Sequence, residues 1–281
     1  MRRIAFRIPA EAREDVLDGV LPLLPGGIVE RAFNDGVTEI SSVGAALPTR
    51  EVLEAAAGRP LDGFASEPVP ADWRERRARF GGGAVLVSGR LMVRSPWDPA
   101  APPEALEIVI ERGGSGFGSG SHPTTQMCLA LLLDLEPGGG GAFDLGCGVG
   151  TLGIAAAKLG WAPVGGLDRE APAIEEAQAN ARRNGVDAEF AHADAGDGEL
   201  PLRELMLVNA PPPVHRRLAA AMAAAAATAA EGSPVRHVII SGIVEGELDE
   251  VREAYVATGF APVKGMAAES WIAVLLEPAS D

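Results

Sequence analysis

The segment from Ala142 to Thr151 constrains the fold of this chain more than any other part of it. It reads Ala-Phe-Asp-Leu-Gly-Cys-Gly-Val-Gly-Thr, an apolar run followed by glycines at alternate positions and then by an alanine-rich stretch. Glycine adopts positive φ at little cost and has no Cβ, so a bound molecule can approach the backbone closely. The pattern predicts a strand, a cofactor-binding turn and a helix over about residues 152–159.

Two classes of cofactor fit this glycine turn. Gly148 to Gly153 matches the G-x-G-x-x-G pattern of dinucleotide enzymes. Asp144 to Gly150 equally matches the acid-x-G-x-G-x-G pattern of enzymes that use S-adenosylmethionine (SAM). In both classes the free N–H groups at the start of the helix favour a carboxylate or phosphate. The turn alone leaves both classes open.

Asp168 follows the apolar segment 162–167 and stands where a carboxylate at a strand end can accept hydrogen bonds from ribose hydroxyls. Both cofactors contain that ribose. The alternative role is a helix N-cap before the segment 171–174, because Asp is common at caps and Pro in the first helical turn. The two roles are compatible.

Four further blocks surround the glycine turn. Phe-Gly-Ser-Gly-Ser-His-Pro-Thr-Thr ends at Thr125, Gly-Leu-Asp ends at Asp168, Asn-Ala-Arg-Arg-Asn-Gly-Val spans 180–186, and Val-Asn ends at Asn209. In order and spacing, these five blocks resemble the ribosomal protein L11 methyltransferases. The resemblance covers about residues 105–281 well and the first hundred only loosely. It disfavours a nicotinamide oxidoreductase, in which the block before Thr125 has no role.

The resemblance implies a class I SAM-dependent methyltransferase with an α/β fold. We expect a seven-stranded Rossmann-like domain preceded by a small α+β N-terminal domain. In the family, the positions of Thr125, Gly146, Asp168 and Asn209 contact SAM. Acids at the position of Asp194 meet the adenine amino group in many class I methyltransferases, although a solvated turn residue is an equal alternative. The predicted cofactor-binding residues are therefore Thr125, Asp144, Gly146, Gly148, Gly150, Asp168, Asp194 and Asn209.

Asn209 is also the predicted catalytic residue. It ends the apolar run 205–208, and side chains at the carboxyl end of such a strand face the ligand crevice of an open α/β sheet. Its amide oxygen can accept a hydrogen bond from an amine while its NH₂ group is anchored elsewhere. Burial lowers the pKa of a lysine amine from its usual value near ~10.4, so the mechanism needs no strong general base.

The residues after Asn209 depart from the family pattern. Family members usually continue with an aliphatic pair, whereas this chain has Ala-Pro-Pro-Pro, and three prolines remove three N–H donors. The predicted acceptor is a lysine side-chain or N-terminal α-amino nitrogen of a protein. Two alternatives stay open: the acceptor is a peptide natural product or small amine, or the protein is a SAM-binding regulator without turnover.

Two further predictions concern the residues before the helix at 126–135. The segment 112–116 is predicted to be either a lid or a connector, and His122 is predicted to cap or pack rather than to react.

The net charge of −15 bears on the binding partners. An acidic surface repels phosphate backbones, so we expect no direct nucleic-acid substrate and instead a basic protein such as L11. Two cysteines without an evident pairing are typical of a reducing compartment. No histidines pair at metal-ligand spacing, and no long apolar run predicts a membrane span or signal peptide. We therefore expect a cytoplasmic enzyme without a metal.

The chain of 281 residues is long enough for a catalytic domain and a smaller module. We predict a substrate-recognition domain over 1–66, a linker helix with bridging strands over 67–104, and the methyltransferase domain over 105–281. The predicted N-terminal elements are strands 3–8, 27–33 and 37–42, helices 10–24 and 50–57, a linker near 61–70 and a connecting helix at 72–77. The later ones are helices 126–135, 218–230 and 247–258 and strands 235–241 and 269–277.

Overall fold

The computed structural model describes residues 1–24, 27–32, 36–70, 83–111, 118–228 and 234–279. The chain divides into two compact units. The first comprises Met1–Ala84 and Arg94–Glu107, and the second comprises Val85–Val93 and Ile108–Asp281. The segment 67–104, which we predicted as a bridge, thus contributes residues to both units.

The first unit contains a four-stranded antiparallel sheet. Its strands are β1 (Arg2–Pro9), β2 (Val29–Ala32), β3 (Val37–Gly44) and β4 (Asp62–Pro68), in the order β2-β3-β1-β4. Two helices, α1 (Arg13–Val20) and α2 (Arg50–Ala57), contribute Val16, Val20 and Leu53 to the apolar core.

Two expectations for this unit were wrong. The linker predicted near 61–70 is largely β4, because antiparallel pairing with β1 gives its backbone partners that its proline-rich and acidic composition did not indicate. The single helix predicted over 10–24 is broken into 3₁₀ turns at Ala10–Ala12 and Leu21–Leu23 on either side of α1. Pro22 lacks the N–H that a longer helix would use. The predicted helix at 72–77 lies outside the described residues.

A group of buried charges stabilises the same unit. Arg94 has no exposed side-chain surface, and its guanidinium donates to Glu67 and Glu107, each at 2.8 Å. A second buried pair joins Arg3 to Glu39 at 2.9 Å. Each guanidinium is paired with at least one carboxylate, as buried charges require.

The second unit contains the seven-stranded sheet that we predicted. Its strands are β8 (Ala142–Leu145), β9 (Val164–Asp168), β10 (Ala188–His192), β11 (Leu205–Asn209), β12 (His237–Val244), β13 (Phe260–Ala268) and β14 (Trp271–Pro278). Their order is β10-β9-β8-β11-β12-β14-β13. The first five are parallel, and the hairpin of β13 and β14 adds antiparallel to β12. A small separate sheet contains β5 (Val85–Val87), β6 (Leu91–Arg94) and β7 (Leu106–Val109).

Helices alternate with these strands. They are α3 (Pro123–Leu132), α4 (Thr151–Lys158), α5 (Ala171–Asn184), α6 (Pro212–Thr228) and α7 (Leu248–Val256). The alanine-rich helix α6 begins six residues before its predicted start, because prolines are tolerated in a first helical turn, where their missing N–H has no intrahelical partner. No helix in the described ranges is long and apolar enough to cross a membrane.

The strand order places a ligand crevice between β8 and β11. From β8 the chain proceeds outward through β9 to β10, then returns to β11 on the other side of β8. Ligands of open α/β sheets bind at the carboxyl ends of the strands where the order reverses in this way. The glycine turn follows β8 and Asn209 ends β11, so both lie at this edge of the sheet.

Candidate functional site

The glycine turn has the backbone geometry that its sequence predicts. Gly146, Gly148 and Gly150 have φ values of 78°, 52° and 85°, a region that side chains with a Cβ rarely adopt. Gly150 is the N-cap of α4. The turn therefore delivers the chain from β8 into α4 at the carboxyl edge of the sheet.

Asp168 holds this turn from the end of β9. Its Oδ2 accepts a hydrogen bond from the Gly148 N–H at 2.8 Å, and its Oδ1 accepts one from the Glu170 N–H at 3.0 Å. The N-cap of α5 is Glu170, so Asp168 is not the helix cap. Each carboxylate oxygen has a further lone pair, which can accept from a ligand hydroxyl.

Asp144 lies beneath the turn and is 1% exposed. Its Oδ2 accepts from the Gly153 N–H at 2.9 Å, whereas its buried Oδ1 has no hydrogen-bond partner among the described residues. Burial, with a smaller contribution from the charge of Asp168, raises the Asp144 pKa to about 7. An unpaired buried oxygen of this kind favours a ligand that carries a donor or a positive charge.

The side-chain NH₂ group of Asn209 is anchored, as we predicted for a residue whose amide oxygen is available to a ligand. Its Nδ2 donates to Thr124 Oγ1 at 3.2 Å and lies 3.5 Å from Thr125 Oγ1. Its Oδ1 is buried and has no hydrogen-bond partner in the described part of the chain. Thr124 and Thr125 both lie in the first turn of α3 and are almost fully buried.

His122 fixes the direction of this amide through Thr124. His122 is the N-cap of α3, and its Nδ1 accepts a hydrogen bond from the Thr124 N–H at 3.4 Å. This nitrogen therefore carries no proton. Thr124 Oγ1 lies 2.8 Å from the same nitrogen and must donate its hydroxyl proton to it. Its lone pairs are then left to accept from Asn209 Nδ2, so Asn209 Oδ1 is the atom without a partner. Sequence reasoning predicted the cap but missed Thr124, although Thr124 lies in the same motif.

One narrow cavity brings half of the predicted cofactor-binding residues together. Its lining combines residues of the glycine turn, α3, α4 and the end of β11, namely Gly118, Thr125, Asp144, Gly146, Cys147, Thr151, Leu152 and Asn209. Gly148 and Asp168 do not line the cavity. Gly148 belongs to the glycine turn that borders it, and Asp168 is hydrogen-bonded to the Gly148 N–H. Asp194 does not line this cavity: it is exposed in a turn after β10, where its Oδ1 accepts from the Gly196 N–H at 2.7 Å. Its contact with adenine remains a prediction.

The lining fits a small cationic, donor-bearing cofactor better than a metal ion. Asp144 Oδ1 and Asn209 Oδ1 are acceptors without hydrogen-bond partners among the described residues, and both residues line the same cavity. Among the residues that the structure describes, no three His, Cys, Asp or Glu side chains are grouped to hold a metal. Cys128 and Cys147 are buried free thiols, and burial raises their pKa values.

The model of the ribosomal protein L11 methyltransferase family matches residues 70–278. The chain belongs to this family. It is 35% identical over 228 residues to the ribosomal protein L11 methyltransferase of Bordetella parapertussis, covering 75% of this chain and 71% of that one. It is 36% identical over 172 residues to the enzyme of Dechloromonas aromatica, covering 61% and 55%.

A solved structure shows the same fold. The ribosomal protein L11 methylase of Lactobacillus delbrueckii subsp. bulgaricus superposes with a TM-score of 0.58 and 23% identity, covering 71% of this chain and all of that one. Membership of the L11 methyltransferase family confirms the predicted methyltransferase activity and excludes the nicotinamide oxidoreductase that the glycine turn alone left open.

Proposed function

We propose that this L11 methyltransferase family member transfers methyl groups from SAM to amine nitrogens of a basic protein, with ribosomal protein L11 as substrate. The acceptors are lysine side-chain or N-terminal α-amino groups. The proposal rests most directly on Asn209, whose NH₂ group is anchored while its buried oxygen has no hydrogen-bond partner within the described ranges. The names of the relatives support L11 as the substrate.

The donor half of the site is built from the glycine turn and its neighbours. When bound, SAM supplies an electrophilic methyl group on a sulfonium. The backbone of Gly146 to Gly150 passes beside the cofactor, and the Asp168 carboxylate accepts from its ribose hydroxyls. Thr125 lines the same cavity. Asp194, at the end of the neighbouring strand, accepts from the adenine amino group.

The acceptor half is organised by Asn209. Its Oδ1 accepts a hydrogen bond from the incoming neutral amine, which turns the nitrogen lone pair towards the donor cavity. Alignment of two reactants in this way contributes up to roughly 7–11 kcal/mol to lowering a barrier. Entry into the closed cavity also desolvates the amine and lowers its pKa, which increases the neutral fraction without a general base.

The charge of the chain favours a basic partner. A net charge of −15 attracts a protein rich in lysine and arginine and repels the phosphate backbone of RNA. We therefore propose that L11 is recognised as a protein, without direct nucleic-acid contact. The two buried free thiols are consistent with the reducing cytoplasm as the place of action.

Mass spectrometry of purified L11 after incubation with enzyme and SAM tests the proposal. We expect mass increments of one CH₂ at amino groups, and their absence while another molecule is methylated would mean that the acceptor is not L11.

Calorimetry with SAM tests the cofactor. The variant Asn209→Ala should lower kcat about a hundredfold, in the range typical of positioned catalytic groups, with a much smaller loss of SAM affinity. Equal losses in both would mean that Asn209 only holds the cofactor.

A further inference from the structure

His215 is the one fully buried histidine among the described residues, and the proposed reaction does not use it. It lies in the first turn of α6, six residues after Asn209. Its Nε2 is 2.9 Å from the carbonyl oxygens of both Ala210 and Ser241. Its Nδ1 is 3.2 Å from the Tyr255 hydroxyl, on α7.

These partners fix the protonation of the ring. Carbonyl oxygens only accept hydrogen bonds, so Nε2 carries the proton and donates it to the pair. Nδ1 is then the acceptor, and the Tyr255 hydroxyl donates to it. Burial lowers the pKa of His215 to about 4, so the ring is neutral under ordinary conditions.

The imidazole joins the residue after the end of β11 to the middle of β12, next to the proposed acceptor site. Ala210 directly follows Asn209, and Ser241 is the residue paired with Asn209 across β11 and β12. The Ala210 N–H also donates to the Ser241 carbonyl at 3.0 Å. Gly242 allows the two backbone segments to pack this closely, because a Cβ at this position would lie only 2.6 Å from the Ala210 nitrogen. The backbone that carries Asn209 is therefore held on several sides.

We propose that His215 is a positioning residue for methyl transfer. By bridging the carbonyls of Ala210 and Ser241, its Nε2–H fixes the backbone from which the Asn209 side chain projects, and Tyr255 fixes the ring. The inference rests on the proposed role of Asn209. A histidine in this place supplies one donor that two carbonyls share and one acceptor for the tyrosine, which no aliphatic residue can do.

Steady-state methylation of L11 by matched variants tests the proposal. His215→Leu keeps the bulk of the ring but removes the donor, and should lower kcat about tenfold while the KM for SAM stays within about twofold. His215→Gln places an N–H near the position of Nε2 and should recover most of the activity. Tyr255→Phe should lower kcat less than His215→Leu, by about threefold.

A control separates positioning from loss of stability. Leu218→Val alters the buried face of the same helix about one turn later and removes no hydrogen bond to the Ala210 or Ser241 carbonyl, so it should lower stability slightly with kcat unchanged. Wild-type kcat in His215→Leu, or equal kcat in His215→Gln and His215→Leu, would overturn the proposal. If His215→Leu fails to fold, His215→Gln and Tyr255→Phe decide it, and wild-type kcat in Tyr255→Phe would then contradict it. An inactive wild-type enzyme would instead count against the proposed function.

Discussion

Ionisation of Asp144 should make the methyltransferase unit less stable as the pH rises through neutrality. The carboxyl has a pKa of about 7 in the folded chain and an ordinary value of 3.8. Between these values the folded chain binds a proton that the unfolded chain has released. Stability therefore falls with rising pH in this range, by the linkage between proton binding and unfolding. Replacement by Asn removes the titration and keeps a similar shape.

The size of the effect follows from the two pKa values. At pH 5 the buried carboxyl already lowers the free energy of unfolding by about 2 kcal/mol relative to a carboxyl that stays protonated. At pH 8 the cost is about 4 kcal/mol, close to its limit. Asp144 should therefore remove roughly 2–3 kcal/mol of stability between pH 5 and pH 8.

Urea unfolding of wild type and Asp144→Asn, without cofactor, measures this difference. Subtracting the free energies of unfolding of the two proteins at each pH cancels the contributions of the other titrating groups. From pH 5 to pH 8 the variant should become more stable relative to the wild type by roughly 2–3 kcal/mol. Asp134→Asn is the control. Hydrogen bonding to Lys264 lowers the pKa of Asp134, so that carboxyl stays charged throughout the range and should give a flat difference. A flat difference for Asp144→Asn as well would refute the reasoning.

Two further variants test contacts described above. Thr124→Val removes the oxygen that accepts from Asn209 and should lower kcat about tenfold, whereas Thr124→Ser should stay within about threefold; equal rates for the two would contradict the amide orientation. Arg94→Met leaves the carboxylates of Glu67 and Glu107 without their shared partner and should lower the free energy of unfolding by about 3 kcal/mol in urea titration at pH 7, while a loss below about 1 kcal/mol would contradict a structural role for the pair.

The sequence predicted the features that depend on neighbouring residues. Short local patterns predicted the glycine turn, the start of α4 and the strand that ends at Asn209, and the resemblance to the L11 methyltransferases implied the seven-stranded sheet. The direction of the Asn209 amide was predicted from chemistry alone. Its anchors were missed, because Thr124 lies 85 residues earlier in the chain and only the fold brings the two together.

The errors arise where distant contacts override local composition. Segment 61–70 has the composition of a linker, yet most of it forms a strand because it pairs with β1, which lies about 60 residues earlier in the chain. His215 gave no signal because its meaning depends on Ser241 and Tyr255, which are 26 and 40 residues away. Three prolines after Asn209 indicated a stiff loop, and the structure uses two of them to begin a helix.

The strand order also places the proposed donor and acceptor halves of the site on different segments of the chain. Most of the proposed donor half comes from the continuous stretch 142–168, whereas the proposed acceptor half comes from the end of β11 and the neighbouring part of β12, on the other side of the crevice. Substitutions in 210–215 can therefore change the surroundings of Asn209 without touching the glycine turn. The prolines and the buried histidine of this chain lie in that segment, which is where we expect a change of methyl acceptor to be encoded.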